Sequence, residues 1–157
     1  MDVLGRRLAP RTVAHLTPRF ILHDGPVPGL RHVTLCTGSF DVSLAFYDAA
    51  LGALGLVRVH EFGDEEEDEP VLEAAGFGLP DEPASFWLVT GAQATTGLHA
   101  AFAARSRAEV DAFYTAALGA GGTPRQPPRR WEIYRAGYFG AVVADPDGNL
   151  VEAALDE

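Results

Sequence analysis

Between residues 32 and 156 the spacing of apolar positions switches repeatedly between a strand period and a helix period. His32 to Thr37 alternates and is β-branched enough to predict a strand. Val42, Ala45, Phe46, Ala49 and Ala53 then fall at helical spacing and predict a helix that stops before Gly55. Further on, Ser106 and Glu109 form a capping box. The pattern behind them predicts a helix burying Val110, Phe113, Ala117 and Leu118 and ending at Gly121. Three strand-like runs follow each helix, at 56–62, 71–79 and 85–90, and at 129–135, 138–144 and 149–155. Between the last two lies Asp145-Pro146-Asp147-Gly148, which predicts a tight reversal and so a hairpin.

The two sets of elements are copies of one another. With a constant offset of 67 residues, ten of 22 positions are identical between 32–53 and 99–120, including His32/His99, Ser39/Ser106, the Phe-Tyr pairs and the Ala-Ala-Leu-Gly-Ala blocks. A self-similarity of this kind decides the fold class. The chain is expected to be α+β, with two tandem βαβββ modules forming a curved mixed sheet around a central cleft. Module one spans about 31–92 and module two 97–156 of a single domain at 31–156. Residues 1–30, with prolines at 10, 18, 26 and 28, form an N-terminal extension without a sustained period.

Composition narrows the function. At 157 residues and 47% hydrophobic, the chain can build one sizeable core. Its net charge of −10, with every basic residue an arginine, argues against nucleic acid or an anionic membrane as partner. Residues 1–31 are net positive, whereas eight acids and no base crowd 61–73, so the run 64–69 is expected in a solvated loop; it lacks the alternating ligands and central glycine of an EF-hand. One cysteine, Cys36, excludes an internal disulfide. No stretch reaches the ~20 apolar residues of a membrane span, and the first 30 residues lack the apolar core of a secretory signal, so a reduced, cytoplasmic protein is expected.

Strand alternation places His32 on one face with Thr34 and Cys36, His99 with Ala101 and Ala103, and Glu152 with Leu150 and Ala154. If those strands curve around one cavity, two imidazoles and a carboxylate meet among small side chains, the 2-His-1-carboxylate set that holds a divalent metal on one face. Taken singly, each of these residues reads more readily as an ordinary one, the histidines as hydrogen-bonded surface or core residues and Glu152 as an exposed acid. It is the repeat-equivalent placement of His32 and His99 that raises the ligand reading. Cys36 reads as a small buried hydrophobe. Arg129 and Arg130 read either as an oxyanion clamp or as solvated charges beside prolines.

The paired βαβββ plan, the His-Val-Thr-Leu opening at 32, the Phe-Tyr helices, the Gly-Leu-His opening at 97–99 and the block Asp145-Pro146-Asp147-Gly148-Asn149-Leu150-Val151-Glu152 together resemble the vicinal oxygen chelate superfamily. That superfamily includes glyoxalase, bleomycin-resistance proteins, extradiol dioxygenases, fosfomycin thiol transferases and methylmalonyl-CoA epimerases. The resemblance covers about residues 31–156 and implies metal ligands at His32, His99 and Glu152 for a divalent ion such as Fe, Mn, Zn or Ni. It also implies a homodimer. A fourth ligand used by many glyoxalase-like members has no counterpart in Ser85-Phe86-Trp87-Leu88-Val89-Thr90, and no histidine follows His99 to serve as the acid-base group of ring cleavage.

Two functions are therefore expected to compete. The first is a metal-dependent enzyme, a lyase, isomerase, transferase or dioxygenase, that chelates neighbouring oxygens of a small substrate. In it Tyr134 and Tyr138 act as catalytic hydroxyl donors and Trp87 as an apolar substrate wall. The second is a metal-free binding protein similar to bleomycin-resistance proteins, which would hold a drug or metabolite in an acidic cleft.

Overall fold

A computed structural model describes residues 29–63, 73–133 and 136–157. The N-terminal extension up to residue 28, the acidic run 64–69 and Tyr134 lie outside the described residues. Module one contains β1 (Val33–Thr37), α1 (Phe40–Gly52), β2 (Val57–Phe62), β3 (Ala74–Gly78) and β4 (Phe86–Thr90). Module two contains β5 (His99–Ala103), α2 (Arg107–Gly119), β6 (Thr123–Arg130), β7 (Tyr138–Ala144) and β8 (Leu150–Asp156). Each module forms a four-stranded sheet with the same topology, β1-β4-β3-β2 and β5-β8-β7-β6, in which the first strand runs parallel to the last and the other pairs are antiparallel. The α+β expectation of two tandem βαβββ modules holds, with hydrogen bonding dividing the strands between two sheets.

Each helix packs on its own sheet and on the other helix. The result is one core through both modules, in which Phe46, Tyr47, Phe77 and Phe86 meet Val110, Phe113, Val143 and Val151. Phe86 and Phe102 meet edge to face at 5.6 Å and tie β4 to β5. Gly122 lies so close to α1 that a Cβ there would stand 2.8 Å from the Phe46 ring, so only glycine permits this approach.

Helix α2 starts as its sequence predicts: the Ser106 hydroxyl accepts from the Glu109 amide at 3.2 Å, and Gly121 behind the helix takes φ +92°. The Glu109 carboxylate reaches back to the Arg105 amide and side chain, one residue beyond the box partner.

Helix α1 departs from its pattern. Of the predicted stripe only Phe46 is buried, Val42 is 52% exposed, and the inward residues are Phe40, Ser43, Phe46, Tyr47, Ala50 and Leu51. The physical reason is a polar bond set that a hydrophobicity period does not register. Tyr47 donates to Asp145 Oδ2 at 2.7 Å. Thr37 donates to Asp147 Oδ2 at 2.7 Å, and Ser43 donates to the same oxygen at 3.3 Å. Asp145 also accepts from the amide and side chain of Asn149 at 2.8 and 3.1 Å, and Asn149 is fixed in turn to Thr95 and Leu98. The Asp145–Gly148 reversal, with Gly148 at φ +90°, thus fastens module two onto α1 of module one.

Burial, followed by the adjacent Asp145 carboxylate, pushes the Tyr47 phenol well above the ordinary tyrosine range. Because the folded value is raised, the stability it contributes is whole below about pH 10, the unfolded value, and falls as pH climbs from there. Absorbance titration should therefore show at least one of the four tyrosines un-ionised until the protein unfolds, and Tyr47→Phe should lower that number by one. Four phenolates appearing together in the folded protein would contradict the buried bond.

Strand β6 also differs from its pattern. The run expected at 129–135 instead begins at Thr123 and ends at Arg130, through Pro124, Pro127 and Pro128. It is the outer strand of its sheet, where missing amide donors are tolerated, and its pairing with β7 shifts register around the prolines.

Candidate functional site

Both sheets have one face against the helices and one turned away, and the chemistry gathers on the second face of module two. Phe139, Ala141, Val143, Val151 and Ala153 belong to the core. Alternation therefore turns Tyr138, Gly140 and Val142 of β7, Glu152 and Ala154 of β8, and His99, Ala101 and Ala103 of β5 to the other side. Register sets Glu152 between Ala101 and Val142.

Three of the predicted residues meet there. Glu152 is 6% exposed. Its Oε2 lies 2.8 Å from Nε2 of the half-exposed His99, and its Oε1 accepts from the Tyr138 hydroxyl at 2.8 Å. A buried carboxylate is costly unless its oxygens are paired, and here an imidazole and a phenol do so. Gly140 leaves space for it: a Cβ there would stand 3.1 Å from Glu152 Oε1. Cavities flank the cluster. One of about 190 Å³ is lined by Ala101, Ala103, Ala154 and Tyr138. A cleft of about 310 Å³ runs past His99 between β5 and module one, where Leu30 and Val33 at its start and Ser85 before β4 line it.

His32 and Trp87 belong to the other sheet. His32 stands exposed immediately before β1, and the described residues of one chain hold no group of three His, Cys, Asp or Glu able to bind a metal ion. Trp87 lies in a stack that the sequence reading did not see. His60 and Phe62 of β2 lie nearly parallel to its indole at 5.8 and 5.9 Å, across a Gly76 whose missing side chain makes room for the ring. The alternation of His60 with Phe62 along β2 was the available signal, whereas Gly76 comes opposite His60 only through the register of β2 with β3. Arg129 and Arg130 separate: Arg130 pairs with Glu157 at 2.9 Å, while Arg129 lies over the Trp131 ring at 3.4 Å.

Two tandem βαβββ modules, each with its own sheet and helix, define a recognisable class of fold. A family model for the glyoxalase/bleomycin resistance protein/dioxygenase superfamily matches residues 29–153, and the chain belongs to that superfamily. Among solved structures it is similar to a glyoxalase/bleomycin resistance protein from Albidiferax ferrireducens, at 28% identity over 79% of this chain and 96% of that one, with a TM-score of 0.60. A variant of the fosfomycin resistance protein FosX from Listeria monocytogenes, complexed with Mn(II) and 1S,2S-dihydroxypropylphosphonic acid, shares the fold. Its identity is 22% over 82% and 92% of the two chains, and its TM-score 0.57. So does a variant of glyoxalase I from Zea mays, 18% identical, where 80% of this chain covers 43% of that one at a TM-score of 0.58. No curated protein matches the chain.

Proposed function

We propose that the protein is a divalent-metal-dependent enzyme acting on a small molecule through two neighbouring oxygens. The observation that carries this reading is the contact of Glu152 Oε2 with His99 Nε2 on adjacent strands, at the edge of cavities floored by alanines. An imidazole nitrogen and a carboxylate oxygen side by side suit Mn, Fe, Zn or Ni. One chain supplies these two donors together. The reading assigns the third to His32, brought to the pair by a second copy in a homodimer.

When bound, such an ion supplies Lewis acidity toward substrate oxygens. The chain's own residues do the rest. Tyr138 fixes the orientation of Glu152 by donating to its Oε1, and in this reading the hydroxyl would turn from Glu152 to donate a hydrogen bond to a substrate oxygen at this edge. Ala101, Ala103 and Ala154 keep the floor low, and the apolar cleft of about 610 Å³ beyond them, lined by Leu54, Leu56, Leu79 and Phe102, lies within the size range of ligand pockets. His99 is the last histidine of the chain, which favours lyase, isomerase or transferase chemistry over ring cleavage.

A second reading, a metal-free binder of flat drugs or metabolites, draws on the His60–Trp87–Phe62 stack, since offset ring faces hold planar ligands. Elemental analysis of protein purified without chelator separates the two. About one equivalent of a transition metal per chain, lost in His99→Ala, is expected. Absence of metal after reconstitution would overturn the enzyme reading, and quenching of Trp87 fluorescence by planar ligands would then support the binder.

A further inference from the structure

The dipeptide Arg129-Arg130 is split by the strand that carries it. Arg130 is paired across β6 and β7 with Phe139, a core residue, and its guanidinium reaches Glu157, which Arg107 also engages. That arginine is committed to the C-terminal end of β8. Arg129 is paired with Gly140, and Gly140 with Ala154, so its side chain rises from the face that carries Glu152 and Tyr138. Directly opposed positions in an antiparallel pair lie about 4.5–5.5 Å apart at Cβ. The place a Gly140 Cβ would take is 3.1 Å from Glu152 Oε1, so the strand position of Arg129 is separated from the carboxylate only by the side-chain-free Gly140. Among the described residues no acid lies within 4.0 Å of it.

What holds Arg129 instead is an aromatic surface. Its guanidinium carbon lies 3.4 Å from the centroid of the Trp131 ring, and that indole is itself fixed, donating through Nε1 to the Gly140 carbonyl at 3.2 Å. A guanidinium stacked on a ring keeps its N–H edge directed outward in the plane, and it is more weakly hydrated than an ammonium. Because the stack already restrains the side chain, less conformational freedom is lost when the fork closes on a ligand. Guanidinium forks match carboxylate and phosphate oxygens two at a time. In a chain of net charge −10, a cation fixed at this position marks a side of the site toward which an anion is drawn.

The geometry points to Arg129 as a specificity-determining residue: the substrate of the Glu152 site carries an oxyanion, a carboxylate or a phosphonate or phosphate, beside its two neighbouring oxygens, and Trp131 positions the guanidinium that receives it. The inference rests on the site proposed above and names the substrate class of that site.

Trp131 provides a local readout. In a Trp87→Phe background it is the sole tryptophan, so ligand at the guanidinium registers in its emission whether or not turnover occurs. Three probes share two adjacent hydroxyls: 1,2-propanediol without an anion, glycerate with a carboxylate, and 1,2-dihydroxypropylphosphonate. With Mn(II) present, at least one of the two anions should shift Trp131 emission and bind tenfold or more tighter than the neutral diol. Which anion prevails assigns carboxylate or phosphonate as the source. Arg129→Gln should erase the preference while leaving Mn(II) stoichiometry unchanged, and Arg129→Lys should restore part of it, since a point charge without the fork retains attraction but not paired hydrogen bonds. Equal binding of charged and neutral diols, failure of both anions to bind, or a preference that survives Arg129→Gln would overturn the inference. If the protein takes up no metal yet the anion preference still tracks Arg129, the enzyme reading fails and this one stands. If metal binds and the preference ignores Arg129, only this one falls.

Discussion

Asp145→Ala should lower the unfolding free energy by about 3 kcal/mol, a drop of about 6–12 °C in Tm for a chain of this size. Asp145 is 3% exposed and accepts from the Tyr47 hydroxyl and from both nitrogens of Asn149. Alanine leaves those donors buried without acceptors, and each such group costs about 1–3 kcal/mol. It also releases the contact by which the β7–β8 turn grips α1. Asp145→Asn keeps one acceptor, and the Tyr47 hydroxyl can reverse to receive its amide, so a loss of about half is expected. Urea unfolding monitored by circular dichroism gives both numbers. A shift under about 2 °C for the alanine variant would show that the turn does not bind the modules together.

Glu152→Gln should reduce affinity for Mn(II) by at least about a hundredfold, because disturbing even the groups that orient a metal ligand costs about 10–100-fold. The same variant should leave the metal-free protein as stable as the parent or more so. Glu152 is a carboxylate buried at 6% exposure, and its partners among the described residues are an imidazole and a phenol, with no arginine on either oxygen. Removing a poorly compensated buried charge relieves a desolvation penalty, while a side-chain amide keeps an acceptor for Tyr138. Metal titration by calorimetry and a melting curve without metal check the two halves. Lost metal binding together with a collapsed fold would mark Glu152 as a structural residue, and intact binding would remove it from the proposed ligand set.

What could be read from the residues followed how local each determinant is. Helix α2 was legible because its signals, Ser106, Glu109 and Gly121, lie within one helix length. The sharing of a face by His99 with Ala101 within β5, and by Glu152 with Ala154 within β8, was legible because strand alternation fixes each without tertiary knowledge, whereas the register that sets Glu152 opposite Ala101 was not. Helix α1 was misread because Ser43 and Tyr47 are buried for their hydroxyls, which find carboxylates about a hundred positions away. Strand β6 was displaced because three prolines argue against a strand until its place at the sheet edge is known. The block from Asp145 to Asn149 was the most informative stretch for family resemblance, and its observed bonds are architectural, fastening one half of the chain to the other. Meeting points of separate elements, such as Arg129 with Trp131 above Gly140, depend on register between strands and left no periodic trace.

The equivalence of the two halves has a consequence for how such a protein diversifies. Glu152 pairs with Ala101 in β8–β5, and at the matching place in β4–β1 Trp87 pairs with Thr34. Since Ala101 and Thr34 are 67 positions apart, Glu152 and Trp87 are structural counterparts in the two modules. One copy bears an acid and the other the centre of an aromatic stack, although both rest on sheets whose helix-facing sides form a shared core. The doubled fold thus separates upkeep from chemistry: the buried sides of both sheets join in one core, while the two outer faces are free to differ, one presenting an imidazole–carboxylate pair and the other a planar aromatic surface.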